Sequence, residues 1–233
     1  SLVAVFEPDT YGDLLLAKAC ETARRCHALV FVNAGYETEG GIRNTTHVFD
    51  RDGKSVGRYF KAHPAPSEVK TEAEGGHGLD VAYSYALDAP YTLELEGLRF
   101  CFLTCYDFYF YEAYARIARE KVDVIIVDEC QFLTTAQVNE LKEVSRKIPV
   151  ICYGLLTNFK TELFEGSKRL IEIADSLMEI KSVCACGKKA TVNGRFVDGK
   201  LVTDGEEIML GGDESYKALC YNCYLELKRE IEQ

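Results

Sequence analysis

Between Asp13 and His27 apolar residues recur at 15, 16, 19, 20, 23 and 26, which is the spacing of one helix face. Ala28–Val32 is a short apolar run and reads as a strand. Arg43–Phe49 and Ser55–Lys61 flank Asp52-Gly53, and Tyr91–Leu95 and Leu98–Thr104 flank Glu96-Gly97. Both pairs predict hairpins, because a residue followed by glycine suits the left-handed turn that joins twisted strands. Leu2–Phe6 and Val122–Val127 are unbroken apolar runs of strand length; His63–His77, with its prolines, glycines and charges, reads as loop. Helices are expected over Phe110–Glu120, Thr134–Lys147 (with Thr134 or Thr135 as N-cap) and Ser167–Ala174, and a strand over Ile148–Tyr153. From Ser182 short strands and loops lead to a closing helix, Tyr221–Glu232. Strands alternating with helices imply an α/β architecture.

The chain has 233 residues, of which 47% are hydrophobic and 27% charged, the composition of an ordinary folded protein. A net charge of -10 argues against a nucleic-acid backbone or an anionic membrane as partner, since both require clustered Lys and Arg. No apolar run approaches the ~20 residues that span a bilayer. The opening Ser1–Phe6 reads as a strand already under way, and no secretory leader is visible, so the expected setting is cytoplasmic. There are ten cysteines, and in a reducing compartment disulfides are not expected. Cys20 and Cys26 share a helix face and read as packing, and His27, His47, His63 and His77 show no metal-like spacing and read as surface residues.

Cys105 ends the strand Leu98–Thr104, just before Tyr106-Asp107 and a helix. A thiol at such a turn is exposed, and the following backbone N–H can face an oxyanion. Lys61 and Glu7 also stand at strand ends, in Gly57-Arg58-Tyr59-Phe60-Lys61-Ala62-His63 and Phe6-Glu7-Pro8. Glu7, Lys61 and Cys105, with Arg43-Asn44-Thr45, Asp52-Gly53, Tyr59-x-Lys61-x-His63, Ser67-Glu68 and Cys105-Tyr106-Asp107-x-x-x-x-Glu112, resemble the carbon–nitrogen hydrolase (nitrilase) superfamily. Tyr111 departs from it, standing where that family usually has proline. The resemblance covers about residues 1–127 and implies amide or nitrile hydrolysis through a thioester. It makes Cys105 the nucleophile and Glu7 the general base. Lys61 and the Tyr106 N–H would hold the oxyanion, with Glu68 as a supporting carboxylate. Asp107 and Glu112 read as helix-start charges.

After residue 127 the text changes. Cys184-x-Cys186 and Cys220-x-x-Cys223 form two short thiol pairs, the pattern of a closed tetrahedral zinc site. Asp128-Glu129-x-Gln131-Phe132, Gly154-Leu155-x-Thr157-x-Phe159-x-x-x-Leu163-Phe164-x-Gly166, Cys184-x-Cys186-Gly187-Lys188-Lys189-Ala190 and Gly211-Gly212-x-Glu214-x-Tyr216 resemble the C-terminal half of type II thymidine kinase. That resemblance implies Glu129 as base for the nucleoside hydroxyl and Asp128 as a magnesium partner. It places Phe132, Phe159 and Tyr216 around the nucleoside and Thr191–Leu210 as a lasso over the base. Yet no G-x-x-x-x-G-K-[ST] phosphate loop occurs, so Mg-ATP has a place only if some other loop substitutes.

The expected fold is therefore a partial nitrilase-like αββα layer (1–127), a thymidine-kinase α/β segment without its phosphate loop (128–181) and a zinc-bound lasso subdomain with a C-terminal helix (182–233), the seam lying near Val122–Val127. Three functions stay open. One is hydrolysis of a C–N bond by Glu7, Lys61 and Cys105, impaired by truncation. The second is a thymidine kinase remnant, and the third a non-catalytic, zinc-stabilised fusion. The expected partners are a small-molecule amide or a nucleoside. Both resemblances imply families that tend to form homo-oligomers.

Overall fold

The protein is described from a computed structural model covering residues 11–38, 41–65, 92–205 and 214–231. The expected strand Leu2–Phe6 and most of the loop after His63 lie outside these residues. The chain divides into two compact units, Ser1–Glu129 with Val144–Tyr153, and Cys130–Glu143 with Gly154–Gln233.

In the first unit, helix α1 (Tyr11–Cys26) precedes strands β1 (Val30–Thr38), β2 (Gly41–Phe49) and β3 (Ser55–Phe60), which form an antiparallel sheet in that order. The β2–β3 turn closes because the Asp50 carboxylate accepts the N–H groups of Asp52 and Lys54 at 3.0 and 2.8 Å. Gly53 is left-handed there, and a Cβ on it would lie 2.7 Å from the Cys20 carbonyl of α1.

Strands β4 (Thr92–Leu95), β5 (Leu98–Thr104), β6 (Val124–Asp128) and β7 (Val150–Cys152) form a second sheet in that order. The β4–β5 turn has φ of 51° at Glu96 and 78° at Gly97, the two positive values that a tight hairpin requires. Strands β5, β6 and β7 run parallel. This sheet crosses the expected seam, so hydrolase-like β5 and kinase-like β7 share one hydrogen-bonded ladder through β6.

Side-chain alternation stacks the two sheets. Phe31 of β1 lies 5.7 and 5.3 Å from the rings of Phe100 and Phe102 on β5, and Tyr59 of β3 stacks 5.8 Å from Phe102. The neighbours Val30 and Val32 point the other way and join the α1 cluster of Ala19, Ala23 and Phe49. On the far side, helix α2 (Tyr111–Glu120) turns Ala113 and Ile117 inward. Its Glu120 accepts from the Thr92 hydroxyl. The layers are thus helix, sheet, sheet, helix, as the αββα expectation requires.

In the second unit, α3 (Thr135–Ser145) starts at Thr134, whose N–H and hydroxyl reach the Gln137 side chain at 2.9 and 3.1 Å. After β7 the chain forms α4 (Glu165–Ile173), the hairpin of β8 (Ser182–Val183) and β9 (Lys189–Ala190), and a three-stranded sheet. That sheet contains β10 (Val192–Val197), β11 (Lys200–Val202) and β12 (Glu214–Leu219), with β10 central. Helix α5 (Tyr221–Ile231) closes it, and Val192, Phe196, Leu201, Leu219 and Tyr224 form a small core beside Cys184 and Cys220. No described helix is long and apolar enough to cross a membrane.

Candidate functional site

Strand β5 ends at Thr104, and the chain then turns sharply through Cys105, whose φ is 49°. A left-handed non-glycine residue costs about 1–2 kcal/mol, which the surroundings must offset. Two residues on, Asp107 is fully buried. Its Oδ2 accepts from the Tyr59 hydroxyl at 2.7 Å and the Thr104 N–H at 3.3 Å. Its Oδ1 accepts from the His63 N–H at 2.9 Å and lies 3.1 Å from His63 Nδ1. One carboxylate therefore staples the end of β3 to the turn after β5. Lys61 lies between the two residues that Asp107 grips, and it is itself buried. Its backbone N–H is held by the Asn44 carbonyl at 3.0 Å.

Three sequence expectations change here. Asp107 is no solvated helix-start charge, because the short helical turn Cys105–Tyr109 carries it inward to where donors from β3 converge. His63 is not a surface residue: its ring stacks on Phe110 with centroids 3.8 Å apart. His47 is buried too, and burial, then the charge of Arg58, pulls its pKa down to about 4. Glu112 is exposed in the first turn of α2, as read from the sequence. Tyr106 lies against Tyr109 and Phe110. Glu7 and Glu68 lie outside the described residues.

Among the kinase-like residues, Asp128 is the last residue of β6, and its Oδ1 accepts the Glu129 N–H at 3.0 Å. Glu129 is left-handed with φ 59° and largely buried. In the second unit, the Gln131 side-chain oxygen accepts the Leu155 N–H at 3.1 Å. It packs so closely on Gly154 that a Cβ there would lie 2.5 Å away. Phe132 meets Phe164 edge-on at 5.8 Å. Phe159 and Tyr216 come together through Arg195, which sequence reasoning missed. Its guanidinium covers the Phe159 ring at 3.8 Å, and Nε donates to the Tyr216 hydroxyl at 3.0 Å. Arg195 is fully buried, and nothing in its sequence neighbourhood signals this.

The four cysteines named from spacing meet: the sulfurs of Cys184, Cys186, Cys220 and Cys223 all lie within 4.8 Å of one another. The β8–β9 turn supplies the first pair, closed by the Gly187 N–H to the Cys184 carbonyl at 2.8 Å, and the start of α5 supplies the second. Backbone N–H groups of Cys186 and Cys220 pull the Cys184 thiol down to about 6. The Cys223 N–H lowers Cys220, whereas hydrogen bonding to Cys220 and its neighbours pushes Cys223 up to about 12. Clustered sulfurs, two of them with lowered pKa, form a donor set that suits a soft divalent cation.

Two family models match, carbon-nitrogen hydrolase over residues 5–149 and thymidine kinase over residues 104–224. The two ranges share residues 104–149. The chain is 48% identical over 120 residues to the thymidine kinase of Pasteurella multocida, covering 50% of this chain and 62% of that protein. It is 47% identical over 110 residues to that of Aliivibrio fischeri, covering 46% and 57%. The chain thus spans less than two thirds of these relatives' length. Among solved structures, a carbon-nitrogen hydrolase from Helicobacter pylori aligns over 95% of this chain and 72% of its own, at 14% identity and a TM-score of 0.47. An amidase from Nesterenkonia sp. aligns over 63% and 56%, at 17% identity and a TM-score of 0.46.

Proposed function

Because the chain belongs to the carbon-nitrogen hydrolase family over residues 5–149 and to the thymidine kinase family over residues 104–224, we propose that its chemistry is hydrolysis of a C–N bond at the Cys105 corner. The observation that carries this reading is the Asp107 staple, which fixes the Lys61 segment against the Cys105 turn. In this reading Glu7 takes the thiol proton and Cys105 Sγ attacks the amide carbon. Lys61 and the Tyr106 N–H hold the oxyanion, and Glu68 supports the base. The C–N bond breaks as Glu7 returns the proton to the departing amine. Water, deprotonated by Glu7, then opens the thioester and frees the acid and the thiol.

The test is release of ammonia from short aliphatic amides. Cys105→Ala abolishes it under this reading, and equal turnover by the variant overturns it. Cys105→Ala leaves the Asp107 bonds in place, so its fold is expected to survive.

A second reading draws on the Phe159–Arg195–Tyr216 cluster and the relatives named thymidine kinase. It takes a nucleoside as partner, with Phe132, Phe159 and Tyr216 around it, Glu129 as base and Asp128 toward magnesium. Mg-ATP enters only with a substitute for the phosphate loop. Thymidine phosphorylation that vanishes in Glu129→Gln supports this reading; absence of nucleotide binding at millimolar ATP dismisses it. In either case the four cysteines hold a structural zinc, the setting is cytoplasmic, and neither nucleic acid nor a membrane is a partner. Homo-oligomers remain part of the reading, and sedimentation tests them.

A further inference from the structure

Strands β5 and β6 are parallel neighbours, and their register pairs Thr104 with Asp128. One residue beyond each partner the backbone has a positive φ, 49° at Cys105 and 59° at Glu129. Adjacent strands lie about 4.8 Å apart. Cys105 and Glu129 therefore leave neighbouring strand ends at one edge of the sheet. That edge is the carboxyl end of parallel strands, where α/β proteins gather their ligands. Only 9% of Glu129 is exposed, so its charge is felt strongly by whatever enters beside it.

We propose that Glu129 is a specificity-determining residue of the Cys105 site, favouring amides whose flank beside the scissile bond is cationic or rich in N–H donors and disfavouring those with an acidic group there. The proposal rests on the reading of Cys105 as a hydrolytic nucleophile. A carboxylate lowers the local concentration of anions and raises that of cations. Lys61 contributes the opposite sign, so wild-type preference reports both charges. Only the change on substituting Glu129 isolates its part.

The probe is alkylation of Cys105 by neutral iodoacetamide and by anionic iodoacetate, followed by peptide mass mapping. The same thiolate attacks the CH2 carbon of both reagents and displaces iodide, so the ratio of the two rates is independent of how much thiolate is present. In Glu129→Gln the iodoacetate rate rises about tenfold relative to iodoacetamide. Glu129→Asp keeps the wild-type ratio to within about twofold, since the charge remains. An unchanged ratio in the glutamine variant overturns the proposal, as does an aspartate variant that moves as far as glutamine does. If Glu129→Gln does not fold, Glu129→Ala, read the same way, replaces it. Hydrolysis gives a separate readout, in which kcat/KM for succinamate gains on that for butyramide in Glu129→Gln. If wild type hydrolyses no amide, the functional reading fails, while the alkylation ratio still decides the placement of Glu129.

Discussion

The Tyr59 hydroxyl donates to Asp107 across 48 residues of sequence, at 2.7 Å and in full burial. This bond and the two from His63 join the end of β3 to the turn that presents Cys105. A hydrogen bond to a buried charge contributes about 1.5–3 kcal/mol. Tyr59→Phe should cost that much in urea unfolding. Asp107→Ala should cost more, because it strands the Tyr59 hydroxyl and the His63 N–H in the interior. A Tyr59→Phe protein with an unshifted urea midpoint would refute this account.

Acid stability should depend on His47. Its ordinary value of 6.5 falls to about 4 in the fold, through burial and the facing charge of Arg58. The unfolded chain then binds a proton near pH 6.5 that the folded chain refuses until about pH 4. Stability is therefore full above that window and drains as pH falls through it, at up to about 1.4 kcal/mol per pH unit. Urea midpoints taken from pH 7 to 4 should fall less steeply in His47→Phe than in wild type.

Zinc should bind once per chain and act locally. The sulfurs of Cys184, Cys186, Cys220 and Cys223 sit beside the core of Val192, Phe196, Leu201 and Leu219. Chelation, or Cys184→Ser, should expose sites for proteolysis within 182–231 and leave the β4–β7 sheet protected. Elemental analysis with hydrogen exchange reads both halves of this prediction.

Two glycines should respond to the same change with costs of different size. A Cβ at Gly166 would lie 2.6 Å from the Cys130 and Leu133 carbonyls and 2.9 Å from that of Gln131. Backbone cannot swing aside, so Gly166→Ala should cost about 3 kcal/mol. Gly187 is left-handed with nothing within 4 Å, so Gly187→Ala should cost only about 1 kcal/mol of backbone strain. Equal melting temperatures for the two variants would contradict this contrast.

Local signals were legible where neighbours in sequence decide the outcome. The Asp52-Gly53 and Glu96-Gly97 turns, the Thr134 cap and the cysteine pairs all depend on residues a few positions apart. Asp107, His47 and Arg195 were misread or missed because distant strands set their environments. Two donors to Asp107, the His63 N–H and the Tyr59 hydroxyl, stand 44 and 48 residues away, and Arg195 finds Phe159 and Tyr216 on other segments. A lone charged residue carries no local mark of burial, so its sequence context reads as solvent. The continuity of β5, β6 and β7 was equally hidden, since an apolar β-branched run predicts a strand without naming its neighbours.

The rung between Thr104 and Asp128 is made of peptide groups, which every residue type supplies alike. Amide ladders are blind to lineage. Splicing two genes within such a ladder preserves its rungs while bringing loops of separate descent into contact, and new chemistry at the splice then needs no new fold.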